Sequence, residues 1–102
     1  MKAFTLFNIK PNVPIEEYRR WSLEQVHPRM LRMPSVLAFR DYEVGDIAWG
    51  GQSPYQFVEE IEISSPEEFE RDNNEGDGAV LAQEWQSRVS NYVVIFCHEL
   101  LV

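Results

Sequence analysis

Apolar and polar positions along the chain change period several times, and each change marks an element. Ala3 to Lys10 (AFTLFNIK) is β-branched and aromatic with loose alternation, which predicts a first strand. Pro11, Asn12 and Pro14 end it and open the longest helical pattern, Pro14 to Met33 (PIEEYRRWSLEQVHPRMLRM). At about 100° per residue, Ile15, Tyr18, Ser22, Leu23, Val26, Met30 and Met33 share one face, with Glu16, Glu17, Arg19, Arg20 and Glu24 mostly opposite. Trp21 and His27 fall on the two shoulders of the apolar face. Pro28 removes a backbone donor and is expected to push His27 out of α geometry, so that the helix kinks or ends there.

Past Pro34 and Ser35, Val36 to Val44 (VLAFRDYEV) sets Val36, Ala38, Arg40, Tyr42 and Val44 against Leu37, Phe39, Asp41 and Glu43, a second strand. Gly45 to Pro54 carries turn formers around Ile47 and Trp49 and reads as a long hairpin loop. Tyr55 to Ile63 (YQFVEEIEI) places Tyr55, Phe57, Glu59, Ile61 and Ile63 on one side of a third strand and Gln56, Val58, Glu60 and Glu62 on a wetter one. Ser65, Pro66 and Glu68 form a capping-box start with proline at the first helical position. The helix that follows is interrupted: Phe69 belongs to a short piece, Asp72 to Gly78 breaks it, and Ala79 to Val89 resumes with Leu81, Trp85 and Val89 at helical spacing. Tyr92 to Glu99 (YVVIFCHE) is nearly all apolar, which predicts burial on both faces and a central place in the sheet.

The resulting order, β-α-β-β-α-β, is the ferredoxin-like α+β arrangement, one domain over residues 1–102. Both helices cover one face of such a sheet. Large apolar residues occupy both sets of alternating positions in the first, second and fourth strands, so the other face needs a cover. An isologous homodimer with sheet against sheet is the simplest one.

Charge narrows the partners. Nine basic against seventeen acidic residues give a net charge of -8, which repels nucleic acid and anionic membrane surfaces, and neither is expected as a partner. The lone cysteine, Cys97, has no internal disulfide partner and alternates onto the opposite strand face from His98, so a buried, inert thiol in a reducing compartment is expected. The polar start MKAFTLFNIK does not resemble a signal peptide, and no apolar run reaches membrane-spanning length. A soluble, cytoplasmic protein is therefore expected.

Few side chains offer chemistry. His27, at the helix discontinuity, suits general acid or base work in either direction, or else hydrogen-bonds a carbonyl at the helix end. His98 shares a strand face with Tyr92, Val94 and Phe96 and reads first as a structural histidine. Arg40 and Asp41 point to opposite faces; an inward Arg40 would hold an acidic ligand group or pair with Glu59 across the hairpin. Asn73 to Glu84 approximates a twelve-residue calcium loop but begins with asparagine and has a long third position, so it reads as a polar helix interruption. No metal is expected. Aromatic residues make up 13% of the chain, more than a minimal core uses. Tyr18, Trp21, Tyr42, Trp49, Phe57 and Trp85 are those expected around a cavity for a flat, apolar aromatic ligand, with Arg40 and His98 as polar handles.

The run Glu17 to Pro28 (EYRRWSLEQVHP), with a tryptophan six residues before His-Pro, then a Pro-Ser turn and a strand, resembles the EthD-like group of dimeric α+β barrels. In length, in WSLEQVHP and in its Gly-Gly hairpin loop, the whole chain is similar to the REDY-like proteins, which are encoded with enzymes that make prodigiosin-type red tripyrrole pigments. The resemblance implies a cavity-enclosing homodimer, no cofactor, and a role in secondary metabolism alongside other biosynthetic enzymes. The chemistry stays open between a cofactor-independent enzyme using His27, a carrier or chaperone for a biosynthetic intermediate, and a cofactorless monooxygenase. In the expected dimer the Trp49 loop, freed by Gly50 and Gly51, crosses the axis to the partner's first helix, so that His27 and Trp49 share one cavity mouth.

Overall fold

The computed structural model describes residues 1–101. Its elements run β1 (Lys2–Ile9), α1 (Ile15–Trp21), a π-helical turn (Ser22–Val26), α2 (His27–Met30), β2 (Val36–Glu43), β3 (Phe57–Ile63), α3 (Pro66–Asn74), α4 (Gly76–Gln86) and β4 (Val89–Cys97). The four strands form one antiparallel sheet in the order β2-β3-β1-β4, the ferredoxin-like topology.

The first helical region does not stop at Pro28. His27 is right-handed helical, and its N–H donates to the Ser22 carbonyl five residues back. In an ordinary α-helix the Pro28 ring would crowd the carbonyl of the preceding turn; the wider i→i+5 turn accommodates it and the chain stays helical to Met30. The discontinuity is a widened turn before the proline. One consequence is that Leu23, expected on the buried face, is 68% exposed, while Tyr18, Ser22, Val26, Met30 and Met33 are buried.

The second helical region breaks only at Glu75, which is extended, and Gly76, which takes φ +54. Ser65 caps α3 by accepting the Glu68 N–H at 3.2 Å, with Pro66 in the first turn, as the capping box predicts. Gly78 lets α4 lie against the end of α3, since a Cβ there would sit 1.8 Å from the Asp72 carbonyl oxygen. Asn73 to Glu84 is thus the end of α3 and most of α4, with Asp77 and Glu84 both engaged by Arg29 rather than arranged as a loop.

Two strand expectations are corrected. β4 is an edge strand. Its apolar residues serve two different surfaces, the helix side (Tyr92, Val94, Phe96) and the open side (Val93, Ile95), and all five are 37–45% exposed. In β2, a register shift between Val36 and Ala38 breaks simple alternation, so Val36, Phe39 and Asp41 face the helices while Arg40 and Tyr42 face away. Arg40 therefore stands opposite Glu60, and it is Asp41 that stands opposite Glu59.

Beneath the helices the registers align side chains in rows across the sheet. Phe39, Ile61, Ala3 and Phe96 make one row, Asp41, Glu59, Thr5 and Val94 the next, and Phe57 and Phe7 a third. The outer two rows seed two apolar clusters, one built with Val26, Met30, Met33, Phe69 and Leu81, the other with Tyr18 and Val89. Trp21 packs against both. A polar row therefore runs between two halves of the core.

Candidate functional site

The polar row floors a cavity of about 360 Å³ between the sheet and α3–α4. Thr5, Glu59 and Ile61 supply the floor, Phe69, Leu81, Ala82 and Trp85 the helix wall, and the half-exposed Tyr92, Val94 and Phe96 of the edge strand one side. This volume lies within the range of small-molecule sites. The wall is mainly apolar and aromatic, with Thr5, Glu59, Glu70, Asn73, Asn74, Gln86 and the Tyr92 hydroxyl as its polar members, and among the described residues no Lys, Arg or His lines it.

Glu59 is 5% exposed. Burial pushes its carboxyl up to about 8, nearby Asp41 adds to the rise, and a hydrogen bond with Thr5 opposes it. Near neutral pH it is chiefly a protonated acid able to donate a hydrogen bond. Asp41 is also raised, first by burial; its Oδ2 accepts the Ser22 hydroxyl at 2.6 Å and lies 3.8 Å from His27 Nε2, and both contacts oppose the rise. Asp41 Oδ1 is buried without a hydrogen-bond partner.

On the far side of Asp41 a shallower groove of about 220 Å³ is lined by Tyr18, Ser22, His27, Asp41, Tyr42 and Phe57, with Arg19 and Glu43 at its edge. The His27 ring stands edge-on to Phe39 at 4.8 Å. Arg19 grips Glu43 through two hydrogen bonds of 2.6 Å, which hold the Glu43 carboxyl below its usual range. Tyr18 joins the groove to the cavity: its hydroxyl accepts the Trp85 indole N–H at 3.2 Å, and its ring lies 5.1 Å from that of Phe57.

The expected site residues thus divide. Trp85 lines the inner cavity; Tyr18, His27, Tyr42 and Phe57 line the outer groove. Trp21 lies between the core clusters and carries the Arg88 guanidinium over its ring at 4.1 Å. Arg40, Trp49 and His98 line neither space: Arg40 is on the open sheet face, Trp49 is fully exposed at φ 61 in the hairpin loop, and His98 is exposed beyond the end of β4. Cys97 is half-buried on the open face rather than sealed in the core. Glu59, Asp41, Ser22 and Thr5 are the polar residues that sequence reasoning did not select. The usable signal was Glu59 between Phe57 and Ile61 at strand period, an acid on the apolar side. Among the described residues no three His, Cys, Asp or Glu side chains converge as a metal cage, and no helix is long and apolar enough to cross a membrane.

Among solved structures, HapK from Hahella chejuensis is similar over 100% of this chain and 97% of its own, at 16% identity and a TM-score of 0.75. At3g17210 from Arabidopsis thaliana is similar over 99% and 96%, at 17% identity and a TM-score of 0.82. SnoaB, a cofactor-independent oxygenase from Streptomyces nogalater, is similar over 98% and 94%, at 9% identity and a TM-score of 0.67. These likenesses establish the fold. No curated protein sequence gives a significant match. Residues 1–100 match the sequence model of the REDY-like protein HapK, and the chain belongs to that REDY-like family.

Proposed function

We propose that the protein holds a small, flat, largely apolar aromatic metabolite in the helix–sheet cavity, without a cofactor, and presents Glu59 to it as hydrogen-bond donor and proton carrier. The observation that carries this reading is the Glu59 carboxyl, buried on the floor of an apolar cavity that holds no basic side chain. Desolvation of an acid costs stability and contributes nothing to packing, so its place facing empty space rather than a cation favours a role toward a ligand. An acid near pH 7 in its proton affinity also suits general acid–base work. Family membership supports a setting in prodigiosin-type pigment biosynthesis, in the cytoplasm and as a homodimer. The expected result is a small aromatic molecule that co-purifies with the protein and is seen by mass spectrometry, and that Glu59→Gln releases without unfolding the chain. Retention of that molecule by the folded variant would remove Glu59 from the site.

A second reading rests on the outer groove, where Ser22 and His27 both converge on Asp41 Oδ2. This constellation orients the His27 imidazole for acid–base catalysis, including proton abstraction ahead of attack by oxygen. Turnover by purified protein separates an enzyme from a carrier, and oxygen uptake identifies a monooxygenase. Loss of turnover in His27→Ala with ligand binding intact assigns the chemistry to the groove; full turnover excludes His27 from it.

A further inference from the structure

We infer that the cavity selects a planar, basic nitrogen heterocycle, bound as its cation, and discriminates against phenolate and carboxylate ligands, with Glu59 as the specificity-determining residue. The inference rests on the ligand-binding reading above and adds the charge of the ligand to it.

The cavity wall offers acceptors and no cation. Its two carboxyl groups, Glu59 on the floor and Glu70 on α3, have no basic side chain beside them in the lining. The amides offer acceptors too: Asn73 and Asn74 each commit an N–H to a carbonyl one turn back, at 2.8 and 2.7 Å, and Gln86 directs its amide N–H to the Tyr92 hydroxyl at 3.4 Å. Their carbonyl oxygens remain to accept. An anion entering this space would find only neutral amide and hydroxyl donors and no cation, whereas a ring N–H⁺ would find acceptors and a carboxylate partner.

The groups that face Glu59 agree from every side. Asp41 approaches from β2, Thr5 from β1 and Tyr18 from α1, none of them basic. Arg88, whose charge reaches Tyr18, is stacked on Trp21 and hydrogen-bonded to the Glu84 carbonyl. Trp85, Phe69 and Phe96 add aromatic surfaces that attract a flat cation through their π faces. When such a cation binds, the Glu59 proton leaves to solvent and the carboxylate that remains pairs with the ring N–H⁺, so charge and protons balance.

Three tricyclic probes of similar shape test this by fluorescence titration: aminoacridine, protonated on its ring nitrogen at neutral pH, neutral acridone, and anthracene carboxylate. The expected order has aminoacridine tighter than acridone by about tenfold, one decade of affinity, and anthracene carboxylate weakest. Glu59→Gln should abolish the preference for aminoacridine over acridone, whatever the absolute affinities of the variant. Calorimetry in buffers of different ionisation enthalpy should show about one proton released as wild type binds aminoacridine at neutral pH, a measurement that needs no variant. Equal affinity for aminoacridine and acridone, a preference that survives in Glu59→Gln, or binding without proton release overturns the inference and leaves the cavity as a neutral-ligand site. Failure of all three probes to bind wild type overturns the binding reading along with it.

Discussion

Asp41 on β2 and Glu59 on β3 stand directly opposite each other on the helix-covered face of the sheet, so two carboxyl groups share one desolvated strip. An Asp41 charge that close to an apolar core disfavours ionisation of Glu59 and adds to the rise that burial causes. Asp41→Asn should therefore lower the pKa of Glu59 from about 8 toward the ordinary glutamate range. Carbon-detected NMR titration of the Glu59 carboxyl reads this directly. An unmoved titration would show that burial acts alone.

Glu59 also makes stability depend on pH in an unusual direction. Its proton affinity is higher in the folded chain than in the unfolded one, so its contribution is fully present below 4.5 and is lost as pH rises through about 8. The carboxylates held low by partners, Glu43, Glu60, Asp72 and Asp77, are ionised in both states in the upper part of that window and do not mask the slope there. Urea unfolding should show wild type losing on the order of 4 kcal/mol across the window. Glu59→Gln should lack the loss that wild type shows toward pH 8 and exceed wild type on the alkaline side.

Gly78→Ala tests the fit of α4 against α3. The added methyl would collide with the Asp72 backbone carbonyl and press on Met33 Cε at 3.2 Å, and neither helix end can move without disturbing the Phe69 and Leu81 cluster. A loss of about 3 kcal/mol is expected, at the upper end for overpacking. Thermal unfolding that matches wild type would mean the α3–α4 junction is pliable.

The open sheet face supplies the test of assembly. Phe4, Leu6, Val58, Val93 and Ile95 lie together on the β3–β1–β4 side of that face, while the remainder includes Lys2, Arg40, Tyr42, Glu60, Glu62 and Cys97. Sedimentation should give a dimer at micromolar concentration. Leu6→Lys, which sets an ammonium in the apolar part, should give a folded monomer. A monomeric wild type would leave that face without a cover and sink the barrel.

The element order and fold were legible because period, proline and capping signals agree along the whole chain. Strand position was not: β4 carries the apolar pattern of a central strand because its helix side lines the cavity and its open side is apolar though half-exposed, and periodicity alone does not distinguish those from core. One register shift between Val36 and Ala38 was enough to exchange Arg40 for Asp41 on the inner face. His27 was found through His-Pro, but its companions Ser22 and Asp41 come from a helix position and a strand position nineteen residues apart that only the tertiary fold brings together. Glu59 was misread because an acid on an apolar strand face was given a basic partner that the sheet turns away from it.

The π-helical turn gives this helix two phases. An extra residue in a turn rotates everything beyond it by about 100° relative to an unbroken α-helix. Tyr18 and Ser22 can therefore address the Asp41 side of the sheet, while Val26 and Met30, a few residues later, address the other apolar cluster and the inner cavity. Removing one residue from Ser22–Val26 would restore a regular helix and turn its two ends out of phase with the sheet, so that only one of the two spaces could keep its wall. The widened turn thus lets one helix wall both spaces, the groove through Tyr18, Ser22 and His27 and the inner cavity through Val26 and Met30.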